Sequence, residues 1–338
     1  MARKPAKKTA RRKAPATKAA QKPVKKPAKK PARKARSRGA GKSAPAEARF
    51  GTVAIIGLGL IGSSLARAIK RGRLARRING SARTEKTLQT SLRLGFIDRA
   101  ESDPARAAAG ADLVVIAAPV GASGAIAKAI APALKPGAIV SDVGSVKAAV
   151  VDAVMPHLPR GVHFVPAHPV AGTEESGPEA GFAELFEGRW CILTPPPGCD
   201  PAALRKVAAL WRAVGSTVDT MDPRHHDMVL AITSHLPHLI AYTIVGTATE
   251  LENTLQQEVI KFAAGGFRDF TRIAASDPVM WRDIFLANKD AVLEMLGRFD
   301  EDLTALQRAI RYGDGKALED WFTRTRAIRR SIVKAGQA

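Results

Sequence analysis

Cysteine is almost missing from this chain, with two in 338 residues, Cys191 and Cys199. Neither has a metal-ligand partner at CxxC spacing, so a disulfide framework is excluded and no metal is expected. Aromatic residues make up 5% of the sequence, and none precedes Phe50. The first 49 residues also lack acids, apart from Glu47, and branched aliphatics, apart from Val24. Such a segment cannot bury enough apolar surface to offset chain entropy, so residues 1–49 are predicted to form a disordered tail rich in Lys, Ala and Pro. Long hydrophobic runs are missing as well. The most apolar stretch, Leu113–Leu134, is broken by Pro119, Lys128 and Pro132. It reads as strand, turn and helix, not as a bilayer span. No signal peptide is present, and a cytoplasmic location is expected.

What is abundant is positive charge, and it is unevenly placed. The net charge is +22. Residues 1–49 hold 19 of the 53 Lys and Arg and one of the 31 acids, a net of +18, which leaves +4 for the other 289 residues. The high pI therefore describes the tail, and the body is balanced. Such a tail binds polyanions, DNA included, through counterion release without sequence preference. A solubilising appendage with no specific partner fits the same composition.

The body opens with a β-branched run, Thr52–Ile56, a glycine turn, and helical spacing over Ser63–Arg71. Arg76–Ser81 reads as a second strand, Glu85–Leu94 as a helix stopped by Gly95, and Asp112–Ala117 as a buried strand. Ala138–Ser141, Val162–Val165 and Trp190–Leu193 are further strands. Buried strands alternating with helices predict a parallel, doubly wound sheet of Rossmann type. Beyond Asp222-Pro223 the periodicity is helical, over Asp227–Ala248 and Pro278–Ile332, with a break at Gly265-Gly266. The division expected is an α/β dinucleotide-binding domain over 50–220 and an all-helical substrate and dimerisation domain over 221–338. A homodimer through the helices follows by analogy of fold.

The glycine turn is Gly57-Leu58-Gly59-Leu60-Ile61-Gly62. This GxGxxG follows a strand and opens a helix, the context a dinucleotide site requires. Gly57 permits the turn, Gly59 admits a pyrophosphate to the backbone, Gly62 lets helix and strand pack closely, and Leu60 and Ile61 lie at the helix start. Ala118 and Pro119, after the Asp112–Ala117 strand, complete the cofactor edge. The second strand ends in Gly80-Ser81-Ala82-Arg83-Thr84, with no acid to bond ribose hydroxyls. Arg83, assisted by Ser81 and Thr84, can meet a 2′-phosphate. The cofactor is NAD or NADP, with a lean to NADP. A solvated Arg83 at a helix start is the alternative.

Four polar clusters sit where a cleft is expected: Ser141–Lys147, Ala167–Glu174, Ser234–His238, and Gly265–Arg272 running on to Asp283. Each alone has a structural explanation. Together, the segments GLGLIGSSLA, DVGSVK, HPVAGTEESG, SHLPH and GFRDFTRIAASDPVMWRDI resemble the prephenate/arogenate (cyclohexadienyl) dehydrogenase family over residues 51–330. The resemblance implies oxidative decarboxylation of a small cyclohexadienyl acid with hydride transfer to NAD(P), a step towards tyrosine. It implies His168 at the ring hydroxyl as base or polarising group, with Ser145 beside the hydroxyl and the nicotinamide. It further implies Arg272 on a carboxylate, His238, Thr173 and Trp281 lining the substrate pocket, and Asp269 as a partner for nearby cations. Arg268 and Lys147 belong to the same clusters and also have a structural reading. The segments preceding and following the resemblance suggest neither a fused mutase nor a C-terminal regulatory domain.

Two other readings stand beside this one. A related dehydrogenase of a β-hydroxy acid would use a helical Lys beside an Asn, for which Asn288-Lys289 is available. A nucleic-acid-associated protein would act through the basic tail.

Overall fold

The computed structural model describes residues 46–250, 258 and 261–334. The expectations for the tail fall on residues 1–45 and lie outside the described residues. At its boundary one correction is needed. Ala46–Ala48 forms a 3₁₀ turn, and Ala48 is buried in the same core as Phe50, so the ordered body begins before Phe50.

Six parallel strands form the main sheet: β1 (Phe50–Ile56), β2 (Ala75–Ser81), β3 (Arg99–Glu101), β4 (Leu113–Ile116), β5 (Ile139–Asp142) and β6 (His163–Phe164). Their order is β3-β2-β1-β4-β5-β6. Along β1 the side chains alternate between two cores. Val53 and Ile55 join one, and Ala54 and Ile56 the other. In β4, Leu113 and Val115 face the first and Val114 and Ile116 the second. A strand buried on both faces needs a continuous apolar run, as the sequence shows here. Helices α1 (Leu60–Gly72), α2 (Glu85–Arg93), α3 (Pro104–Ala108), α4 (Ser123–Ile130) and α5 (Ala148–Val154) cover the faces. The strand order reverses between β1 and β4, and that switch point places the glycine turn at the crevice.

Trp190–Leu193 does not join this sheet, contrary to the expectation from alternation. It is β8 of a second sheet, ordered β7-β8-β9, in which β7 (Ala167–Pro169) is antiparallel and β9 (Thr217–Thr220) parallel to it. A four-residue apolar run carries no information on strand direction or sheet membership, so periodicity could not separate the two sheets. Helix α6 (Pro201–Ala213) joins β8 to β9 and buries Trp211 edge-on against Phe186, ring centroids 5.2 Å apart. Its start is set by Asp200-Pro201, where the Asp200 side chain accepts the N–H of Ala203.

The first helix begins at Pro223, where the sequence pattern changes and before the Asp227 from which helical periodicity reads, because Asp222 caps it by accepting the N–H groups of Arg224 and His225. The expected single helix is α7 (Pro223–Leu230), a π-helical turn (Ala231–His235) and α8 (Leu236–Thr249). Then follow α9 (Gly265–Thr271), α10 (Pro278–Ala287), α11 (Lys289–Tyr312) and α12 (Gly315–Lys334). Pro223–Thr249 spans 27 residues with mean hydropathy 1.5, long and apolar enough to cross a bilayer by length and composition. Only 28% of its apolar window is buried. Leu286, Leu293, Ile310 and Phe322 are each more than half exposed. The helices thus show a large apolar surface in the single chain. A small core of Val146, Trp281 and Ile284, with Val120 and Tyr242 against it, joins the helices to the α/β part.

Candidate active site

The cofactor edge is shaped by what cannot be added to it. Gly57 has φ +107°, and a Cβ there would stand 2.2 Å from the Ala117 carbonyl oxygen. A Cβ on Gly62 would stand 2.0 Å from the Gly57 carbonyl oxygen. Gly59 is different, since nothing lies within 4 Å of its Cβ direction. Helix α1 starts at Leu60 with no side chain capping it, so its first-turn N–H groups remain for an anion. Ala118 adjoins Gly57 across the switch point, and Pro119 is exposed beside it. These residues fit a dinucleotide pyrophosphate.

At the ribose end the three expected residues are differently placed. Ser81 is buried, and its carbonyl accepts the Gly57 N–H at 2.8 Å. The Thr84 hydroxyl caps α2 by accepting the Thr87 N–H. Arg83 is exposed. The acid on the neighbouring strand, Glu101, is engaged by Arg99 at 2.5 Å and Arg106 at 3.1 Å.

At the carboxyl end of β5 lies a buried polar cluster. Lys147 is fully buried and donates from Nζ to Asp142 Oδ2 and to the Ala167 carbonyl, the latter at 2.9 Å. Asp142 also accepts the N–H groups of Gly144 and Ala167. This clip fixes β7 against β5 and so sets the position of His168, the next residue. The Nδ1 of His168 lies 2.8 Å from His226 Nε2, and His226 Nδ1 lies 2.8 Å from Asp227 Oδ1. Burial holds His168 well below the usual imidazole range, helped by the Lys147 ammonium and by the neighbouring rings of His226 and His235, which disfavour a second positive charge. Burial also lowers His226, against the pull of Asp227. His235 is lowered to about 4, again by burial.

The helices supply the opposite wall. His238 stacks on Trp281 with ring centroids 3.6 Å apart, and His235 meets the same indole edge-on at 6.0 Å. Among the described residues, Trp281 Nε1 and His235 Nε2 are buried without a hydrogen-bond partner. Ser145 is half-buried, and its backbone lies against the His235 ring. Arg272 is close enough to His238 to lower it further after burial, and its Nη1 bonds Glu174 at 2.9 Å. Arg268 and Asp269 are exposed and approach each other at 3.6 Å, and Thr173 is exposed with its hydroxyl on the Glu175 N–H. These three are not drawn into the buried cluster.

Sequence reasoning passed over His226, Asp227 and Glu174 as functional residues. Arg224-His225-His226-Asp227 reads as a solvated first turn, and only the burial of His226 and Asp227 separates them from their neighbours. Asn288 is buried between the Asp227 carbonyl, at 2.8 Å, and His235, at 3.1 Å, while Lys289 is exposed. The lysine that a β-hydroxy acid dehydrogenase would need is therefore turned to solvent.

Comparison with known proteins agrees with this geometry. The prephenate dehydrogenase nucleotide-binding domain matches residues 65–220, and the prephenate dehydrogenase dimerization domain matches residues 222–324. The cyclohexadienyl dehydrogenase of Zymomonas mobilis is 42% identical over 283 residues, covering 84% of this chain and 96% of that protein. The prephenate dehydrogenase of Bacillus subtilis is 38% identical over 272 residues, 80% of this chain and 72% of that protein. Among solved structures, prephenate dehydrogenase from Aquifex aeolicus in complex with hydroxyphenyl propionate and NAD+ superposes with a TM-score of 0.78 at 35% identity, covering 83% of this chain and 98% of that one. Carrying the glycine cradle, the buried histidine cluster and both matched domains, the chain belongs to the prephenate dehydrogenase family.

Proposed function

We propose that the chain oxidises and decarboxylates prephenate, arogenate or both, giving 4-hydroxyphenylpyruvate or tyrosine, and that His168 is the base. The observation that carries this reading is the place of His168. It is buried at the carboxyl edge, held through Nδ1, and kept neutral by its surroundings. A neutral imidazole at working pH can take the ring hydroxyl proton. A bound nicotinamide supplies the hydride acceptor for ring C4. The proton taken from the hydroxyl is returned to the oxygen once CO2 has left and the ring is aromatic.

Ser145, in the loop after β5, is the hydrogen-bonding group assigned to the ring hydroxyl and the nicotinamide. Arg272 offers its planar fork to a substrate carboxylate, in competition with Glu174. The His238–Trp281 stack, with Trp281 Nε1 unpartnered, forms the apolar wall against the ring and helps exclude water. Thr173, Arg268 and Asp269, all exposed, are assigned to the approach of substrate from solvent. The exposed Arg83, with Ser81 where an NAD site carries an acid at the end of β2, supports a lean towards NADP. The apolar face of the helices supports a homodimer through that part. A cytoplasmic location completes the reading.

The test is a steady-state assay of both acids with both cofactors, on the native chain and on His168→Asn. Turnover of at least one acid is expected, with kcat falling on the order of 10²-fold or more in the variant while substrate still binds. Near-native turnover in His168→Asn would remove the base assignment, and no turnover of either acid would remove the substrate class.

A further inference from the structure

Two helices, α5 and α7, meet at one carboxylate. Asp227, in α7, is 5% exposed. Its Oδ1 accepts the Lys147 N–H at 2.7 Å and lies 2.8 Å from His226 Nδ1. Its Oδ2 accepts the Ala148 N–H at 2.9 Å, which caps α5. A carboxylate only accepts, so the proton between Asp227 and His226 sits on His226 Nδ1. A neutral His226 then has a bare Nε2. That atom faces His168 Nδ1, which must carry the proton between the two rings. By elimination, Nε2 of His168 is the nitrogen left with a lone pair.

From this chain of hydrogen bonds we infer that His226 and Asp227 are positioning residues. They lock His168 in the tautomer whose free Nε2 can accept a proton, and they receive part of the charge once it has done so. The inference rests on His168 being the base. When Nε2 takes the hydroxyl proton, His168 Nδ1–H still donates to His226, and the Asp227 carboxylate beyond it opposes the new positive charge. The groups facing His168 are His226, Lys147 and His235, and its backbone lies beside the Cys191 thiol, which burial keeps protonated. Those facing His226 are Asp227, Lys147 and Asp142. Lys147 is already matched by Asp142, so Asp227 is the acid directly bonded to the histidine pair.

Two variants separate this role from a structural one. Asp227→Asn can keep the Ala148 cap with its oxygen, gives up the Lys147 N–H bond at the other atom, and there presents an amide N–H to His226 Nδ1. That reverses both tautomers and puts the proton on His168 Nε2. His226→Leu removes the acceptor of His168 Nδ1 and leaves Asp227 capping α5. Each is expected to lower kcat on the order of 10²-fold with KM within about threefold, because the loss is in proton transfer and not in binding. In Asp227→Asn the acid limb of kcat/KM should also move to lower pH, since the carboxylate favouring the charged ring is gone. Introduced into His168→Asn, neither should cost more than about a further threefold, because groups acting through one residue are not additive. The inference is overturned if His226→Leu keeps kcat within threefold of native, or if the losses multiply in the His168→Asn background. If His168→Asn itself turns over normally, the base assignment falls first and this inference with it. If His168→Asn is impaired and His226→Leu is not, the base stands without its support.

Discussion

Arg272 is the residue proposed to meet a substrate carboxylate. Its guanidinium bonds Glu174 at 2.9 Å, and its side chain is 58% exposed, against 34% for Glu174. An exposed pair of this kind contributes little to stability, so its removal should be felt in binding. Arg272→Ala is expected to raise KM for the acid by about tenfold or more with a smaller change in kcat, as for lost binding shared by ground and transition states. Steady-state kinetics decides it, and an unchanged KM would end the carboxylate role. Arg272 and His168 were legible in the sequence because they fall inside specific motifs. Glu174 stood in such a motif, yet its pairing with Arg272 joins positions 98 residues apart. His226 and Asp227 gave no signal, because a His-Asp pair after a capping Asp-Pro looks like any solvated helix start.

Among elements, the glycine turn carries the sharpest expectation. At Gly62 an added methyl meets backbone, the Gly57 carbonyl oxygen at 2.0 Å, with no flexible side chain to give way. Gly62→Ala should destabilise the fold by about 1–3 kcal/mol and weaken cofactor binding at once. Gly59→Ala meets nothing within 4 Å, so it should unfold normally while its methyl obstructs the phosphate approach. Thermal unfolding beside cofactor titration checks the pair, and equal loss of stability in both would refute the distinction. Strand–turn–helix was readable here because a β-branched run, the glycine turn and helical spacing follow one another directly. The π-helical turn at Ala231–His235 was not. Asp227 and His235 are eight residues apart, about 80° out of phase on an ideal helix, and the extra residue absorbed by a π turn brings them to within about 20°. Asn288 touches both, and such a register shift leaves no mark in hydrophobic periodicity. The second sheet escaped for a related reason, since short strands paired across distant segments are not encoded locally.

For the whole molecule, burial of histidines makes stability depend on acid. His168, His226, His235 and His238 all have folded-state values below the ordinary 6.5. Below that pH the unfolded chain binds more protons than the folded one. Stability is therefore fully present above about pH 6.5 and is lost as pH falls, towards about 4 for His235. Each such group has a limiting slope of about 1.4 kcal/mol per pH unit. Tm should be flat from pH 8 to 7 and fall steadily between 6.5 and 4.5. A Tm that holds or rises over that interval would contradict the buried neutral histidines. The two-part organisation and the Rossmann-type sheet were apparent from composition and period. The seam between the parts was not, because it is made by side chains from three elements that sequence order keeps apart.

That seam has a consequence for how the protein can change. One carboxylate, Asp227, both anchors α5 of the α/β part and orients the histidine pair at the reacting centre. Any hinge that parted the helices from the sheet at this point would disarm the base in the same movement. Opening for substrate must therefore use other ground, and the two halves cannot be traded between relatives as independent modules. They have to diverge together.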